Sequence, residues 1–230
     1  MTLAAGITQS DKSSPIPVSP GCDPVAAFGT DRSDLADIYD VETNIAVWKR
    51  PVPVALAQSL AGREESWRGF QTSMTVSPQS RAASLTEVLP AGTDSALGDD
   101  IAELVDMFCC LFDLKRAGLR FAHLSKAMCP RFHIDHIPCR LVTTYFGETT
   151  QWLPHDRVDH SKLGAGSNGS EDACSGLYPC ESDIQSLRCG EVALLKGKAW
   201  EGNEHGGLVH RSPAVQSGKG RLLLTLDFAF

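Results

Sequence analysis

The chain has 230 residues, 42% of them apolar and 21% charged, with a net charge of −7. That length suits one domain with a modest extension, and it buries a core without help from disulfides or a structural metal. The acidic balance argues against a non-specific nucleic-acid binder, which needs clustered Lys and Arg. No apolar run approaches the roughly 20 residues that span a bilayer. The opening MTLAAGITQSDKSSPIPVSP lacks the basic-then-apolar order of a secretory signal. The expectation is a cytoplasmic protein with neither nucleic acid nor membrane as partner.

Residues 1–42 are rich in Ser, Pro, Asp and Ala without an apolar period, and read as a flexible extension. Residues 43–230 read as a single domain. Asn44 to Arg50 predicts a strand, and Pro53 to Arg63, with its leading proline, a helix. Arg68 to Val76 predicts a strand and Arg81 to Leu89 a short helix. The clearest helix is predicted from Asp99 to Ala117, where Ile101, Leu104, Val105, Phe108, Leu111 and Phe112 form one apolar stripe and Gly118 is the stop. From residue 119 the pattern turns to alternation. Strands are predicted at Leu119–Leu124, Phe132–His136, Cys139–Phe146, Ile184–Leu187, Val192–Lys196, Gly207–Arg211 and Arg221–Phe228. The fold class is therefore α+β. Residues 43–118 support an antiparallel barrel or sandwich over 119–230, which is interrupted by a polar insertion at 155–182.

Eight cysteines occur without a C-x-x-C pair, so ribbon-type zinc and thioredoxin-type motifs are absent. Cys109 and Cys110 fall in the helical pattern and read as core thiols. Cys174, Cys180 and Cys189 flank a loop.

The chemistry concentrates in the β-rich half. In RFHIDHIPCRL, His133 and Asp135 are two apart, so on a strand both face one side. His210, in GGLVHRSP, lies on a later strand that pairing can bring beside them. Two imidazoles and one carboxylate on one side of an ion form the facial set of non-haem Fe(II) oxygenases, with positions left open. Arg221 opens the last strand, and its guanidinium fork suits a carboxylate. Arg140 has the opposite parity to Tyr145, so if Tyr145 points into the barrel, Arg140 points out.

The ordered set H-x-D, R-L-x-T-x-Y, G-x-x-x-L-L, His and Arg resembles the Fe(II)/2-oxoglutarate-dependent dioxygenases, especially the prolyl-hydroxylase-like group. Here it is carried by His133 and Asp135, Arg140 to Tyr145, Gly190 to Leu195, His210 and Arg221. The resemblance covers residues 119–230. It implies a double-stranded β-helix, jelly-roll or cupin-like, with the N-terminal helices packed on one sheet. It further implies a metal held by His133, Asp135 and His210, with 2-oxoglutarate held by Arg221 and touched by Tyr145. The strings MCPRFHIDHIPCRLVTTY, ALLKGKAW, GLVHRSP and RLLLTLDFAF are also similar to an uncharacterised bacterial family labelled only as a domain of unknown function. Members of that family tend to accompany CobW-type GTPase metallochaperones and zinc-responsive genes, so the resemblance implies a role in metal homeostasis or zinc-limitation stress and assigns no reaction.

Rival readings use the same residues. A non-catalytic β-barrel would hold Zn²⁺ with the same triad, and a cupin-like hydrolase or isomerase would use a divalent ion as Lewis acid. Cys129, His133, His136 and Cys139 spell a second zinc set, although an extended strand turns His133 and His136 to opposite sides. His155 and His160 sit in the polar insertion, either as solvated surface or as a lid or metal-capture loop.

Overall fold

Residues 24–80 and 82–229 are described by a computed structural model. The apolar runs after residue 117 become two facing sheets. In chain order the elements are β1 (Val25–Gly29), β2 (Thr43–Trp48), α1 (Val54–Leu60), β3 (Gln71–Val76), α2 (Ala82–Thr86) and α3 (Ser95–Leu111). Then follow β4 (Ala117–Leu124), β5 (Cys139–Phe146), β6 (Gln151–Leu153), α4 (Asp172–Ser175), β7 (Gln185–Ser186), β8 (Val192–Lys196), β9 (Val209–Arg211) and β10 (Arg221–Phe228). The larger sheet runs β1-β2-β8-β5-β10-β4-β3 and the smaller β7-β6-β9. The segment at His133 joins the smaller sheet through a single antiparallel bridge to His210.

This order is a double-stranded β-helix. From β4 onward the chain passes between the sheets, and its strands interleave as β4-β10-β5-β8 in one and His133-β9-β6-β7 in the other. Antiparallel pairing of β10 with both β4 and β5 sets the register, with Leu224 opposite Phe121 and Thr143.

The central strands are buried on both faces, which is why they read as nearly continuous apolar runs. One face, with Leu141, Tyr145, Leu222, Leu224 and Leu226, packs against the α3 stripe of Leu97, Ile101, Leu104 and Phe108. The other, with Val142, Ala193, Leu195 and Leu223, packs against Trp152 of the smaller sheet and Leu208 just before β9. The N-terminal helices thus lie on the outside of the larger sheet.

Three expectations are corrected. Residues 25–42, expected to belong to a flexible extension, carry regular structure. β1 pairs in parallel with β2, and a 3₁₀ turn at Arg32–Tyr39 joins them, buried through Leu35 and Ile38; residues 1–23 lie outside the described residues. The main helix begins and ends earlier than its charges suggest. The Asp94 side chain caps it by accepting the Ala96 amide at 2.8 Å. Asp113, at φ 50°, turns the chain out, and Ala117 and Gly118 already belong to β4. Cys109 is buried as expected, but Cys110 is exposed.

The insertion at 155–182 is ordered as 3₁₀ turns at His155–Arg157, His160–Lys162 and Gly164–Ser167, followed by α4. It covers the outside of the smaller sheet, where Leu177 and Tyr178 pack with Phe132, Ile134, Leu153 and Val209. Among the described residues no helix is long and apolar enough to cross a membrane.

Candidate metal centre

The bridge between His133 and His210 is made by two backbone hydrogen bonds, each amide donating to the other carbonyl at 3.0 Å. It sets the two imidazoles side by side, with ring centroids 4.6 Å apart and tilted by 47°. Each Nδ1 contacts a backbone carbonyl two residues earlier, His133 that of Arg131 at 2.9 Å and His210 that of Leu208 at 3.1 Å. A carbonyl only accepts, so each Nδ1 carries a proton, and each Nε2 is left to donate to a carboxylate when it too is protonated or to offer its lone pair to a metal when it is not.

Both Nε2 atoms converge on Asp135. Nε2 of His133 lies 3.5 Å from Oδ1, and Nε2 of His210 lies 3.5 Å from Oδ2. The donor atoms of the three residues all lie within 4.8 Å of one another. Ligand atoms around an ion with bonds of about 2.0–2.2 Å stand roughly 3.0–3.5 Å apart, and the two imidazole–carboxylate separations match that spacing. Among the described residues this is the one cluster of three or more His, Cys, Asp or Glu side chains with such spacing.

Asp135 is fixed from behind. Arg140 Nη1 donates to its Oδ2 at 2.7 Å, and Arg140 is held in turn by Asp227 through Nε at 2.8 Å and Nη2 at 2.9 Å. The backbone is pinned as well. Lys198 donates its amide to the Asp135 carbonyl at 2.9 Å, and Gly197 lies so close that a Cβ there would strike the Ile137 carbonyl. Burial alone would raise the Asp135 pKa, but hydrogen bonds from the two histidines and the charge of Arg140 outweigh it, holding the carboxyl far below the ordinary range. The same partnership with Asp135 raises His133.

A cleft of about 40 Å³ opens onto His133 and His210, walled by Met128, Cys129, Val142, Leu195, Leu223 and Thr225. Thr150 also lines it, and Thr150 Oγ1 accepts from Arg221 Nη2 at 3.1 Å. Thr144 Oγ1 accepts from the same nitrogen at 3.3 Å. Arg221 is 0% exposed, and its Nε and Nη1 have no hydrogen-bond partner. Burial pulls its pKa down to about 10. No carboxylate lies within ion-pair distance of it among the described residues. A buried, half-satisfied guanidinium is the group a ligand carboxylate would complete.

Tyr145 is a correction. It lies on the helix side of β5, packs edge-on against Phe121, and donates its hydroxyl to Asp100 Oδ2 at 2.7 Å. It does not line the cleft. Arg140, on the opposite face, is the residue that sequence reasoning undervalued. The two side chains do have opposite parity, but the faces are exchanged. The second zinc set does not assemble either. Cys139 is wholly buried in the helix-side core, where burial pushes its thiol well up, and His136 is exposed. The His155 and His160 rings lie 4.5 Å apart, but among the described residues no third donor completes a cluster with them.

The family model described as "Protein of unknown function (DUF1826)" matches residues 29–227. The chain belongs to this family. No curated protein matches it. Among solved structures, a Pseudomonas putida prolyl-4-hydroxylase is 13% identical with a TM-score of 0.44, covering 86% of this chain and 92% of its own. The 2-oxoglutarate complex of the Arabidopsis thaliana dioxygenase for auxin oxidation is 8% identical with a TM-score of 0.45, covering 90% and 92%. A Neurospora crassa protein solved with alpha-KG and 5-formyluracil is 10% identical with a TM-score of 0.46, covering 88% and 83%. At these TM-scores the likenesses identify neither a reaction nor a substrate for this DUF1826 protein.

Proposed function

We propose that this DUF1826 protein is a non-haem Fe(II)/2-oxoglutarate-dependent oxygenase. The observation that carries the reading is the convergence of two Nε2 atoms on one carboxylate, beside a cleft whose wall residue Thr150 accepts from a buried arginine with two unpaired nitrogens. His133, Asp135 and His210 would hold the iron, and Arg221 the far carboxylate of 2-oxoglutarate. When bound, that pair supplies oxidation of a substrate by O₂ with loss of CO₂ from the oxo acid. The chain's own part is positional. The Arg131 and Leu208 carbonyls hold the ring tautomers. Arg140 keeps Asp135 ionised and aimed. Leu195, Val142 and Leu223 form the apolar walls that limit water. Thr144 and Thr150 turn the guanidinium of Arg221 by accepting from one nitrogen and leaving two free.

The test is anaerobic titration of the metal-free protein with Fe(II) and then 2-oxoglutarate. A weak visible charge-transfer band is expected when both occupy one centre. It should vanish in His133→Ala and His210→Ala, each with metal content reduced at least about 10-fold. Unchanged metal content in both variants refutes the triad.

A second reading draws on the narrowness of the cleft. About 40 Å³ has room for only a few water-sized volumes, whereas a 2-oxo diacid is larger. With Met128 and Cys129 left in place, the same triad would serve as a Zn²⁺-holding site in zinc homeostasis, exchanging metal with a CobW-type GTPase metallochaperone. Retention of Zn²⁺ through purification with no response to 2-oxoglutarate favours this reading.

A further inference from the structure

Asp172 opens α4 inside the 155–182 insertion and is 9% exposed. It is not one of the triad donors, yet its carboxylate grips the chain beside both imidazole ligands. Oδ2 accepts the Phe132 amide at 2.8 Å. Oδ1 lies 3.4 Å from Arg131 Nε, and Oδ2 lies 3.6 Å from Arg211 Nη1. Arg131 and Phe132 immediately precede His133, and Arg211 immediately follows His210. One buried anion therefore joins the two strand segments that carry the rings.

Neighbouring contacts reinforce the junction. Arg131 Nη2 donates to Ser167 Oγ at 3.1 Å and to the Ser170 carbonyl. The Arg211 guanidinium lies 4.3 Å over the Phe132 ring, and Phe132 meets Tyr178 edge-on at 5.7 Å. Arg211 Nε also donates to Gln151 Oε1 on β6 at 2.8 Å. The insertion thus behaves as a bracket across the edge of the smaller sheet, where the first ligand segment meets β9 through the single His133–His210 bridge and is otherwise held by isolated backbone bonds, from the Ser212 amide to the Cys129 carbonyl and from the Lys198 amide to the Asp135 carbonyl.

We propose that Asp172 is a positioning residue for the metal centre: through the Phe132 amide and the Arg131 and Arg211 side chains it fixes the spacing of His133 and His210. The proposal rests on the metal reading above. Metal–nitrogen bonds tolerate displacements of only about 0.2 Å. Removing the carboxylate leaves a buried amide without its acceptor and two guanidinium groups without their anion. Outer partners of metal ligands typically carry about 10–100-fold in metal affinity.

The experiment uses the full chain, metal-free, with Co²⁺ as the probe. Affinity and visible ligand-field bands are read by titration, and a thermal midpoint is measured for each variant. Asp172→Ala should weaken Co²⁺ binding about 10–100-fold and alter the band. Asp172→Asn keeps an acceptor for Phe132 and loses the charge, so it should lose less. Wild-type affinity and band in Asp172→Ala overturn the proposal; if that variant does not fold, the same result in Asp172→Asn does. A lowered midpoint with an unchanged Co²⁺ band marks Asp172 as a loop anchor only and also overturns it. If the wild type shows no Co²⁺ band, or one that survives His133→Ala, the metal reading itself has failed and takes this proposal with it.

Discussion

Arg50 and Arg221 are both buried in the same domain, on opposite sides of the larger sheet, and their surroundings differ in kind. Arg50 meets Asp100 through two parallel bonds of 2.6 and 3.0 Å, donates Nε to the Gly190 carbonyl at 3.1 Å, and shares Asp100 with the Tyr145 hydroxyl. Desolvation pulls its pKa down, but pairing with Asp100 more than reverses that, and the net direction is up. Arg221 has two hydroxyl contacts from one nitrogen, two orphaned nitrogens and a lowered pKa. The first arrangement is complete without a ligand. The second leaves a buried cation exposed to the full cost of desolvation. Folding tolerates such a site when something outside the chain completes it, which is the physical basis for the proposal that Arg221 serves binding where Arg50 serves stability.

That contrast can be broken in three ways. The largest effect is expected for Asp100→Ala, which strands the Arg50 cation in the core. It should cost about 3–5 kcal/mol of stability by chemical denaturation, and a loss below about 1 kcal/mol would show the network to be dispensable. Arg221→Met should instead leave stability unchanged or raised, because an unpaired buried charge is exchanged for apolar volume. The same variant should lose at least about 10-fold in 2-oxoglutarate affinity, or about 1.4 kcal/mol, with metal content retained. If Arg221→Met unfolds as readily as Asp100→Ala, the two arginines are alike and the binding role fails. The smallest effect belongs to Tyr145→Phe. It removes one hydrogen bond to Asp100, about 1 kcal/mol, and should leave 2-oxoglutarate affinity untouched; a tenfold loss there would return Tyr145 to the site.

The legible parts of the sequence were those where pattern alone decides. β5, β8 and β10 begin and end where their apolar runs do, because turn residues bound them. The H-x-D spacing and the later His pointed to the triad, although the His133 segment makes one bridge rather than the full strand expected. β1 went unread because VAAFG follows a polar stretch and leaves Val25 and Phe28 exposed, so no apolar period marks it. β6 is too short, at three residues, to show alternation. The error at Tyr145 has a sharper cause. Parity tells which residues of β5 share a face, but β5 is buried on both faces, so nothing local tells which face meets the helix and which the cleft. Asp172 was invisible for another reason: it lies about 40 residues from the ligands it braces, inside a segment whose composition reads as loop.

The imidazole tautomers have a consequence for how this protein can change. On its Nδ1 side each ring is set by a main-chain carbonyl two positions back, not by a side chain. Evolution, or an engineer, can therefore redraw the lining at Met128, Leu195 or Leu223 to admit a differently shaped guest, and the two rings keep their orientation throughout.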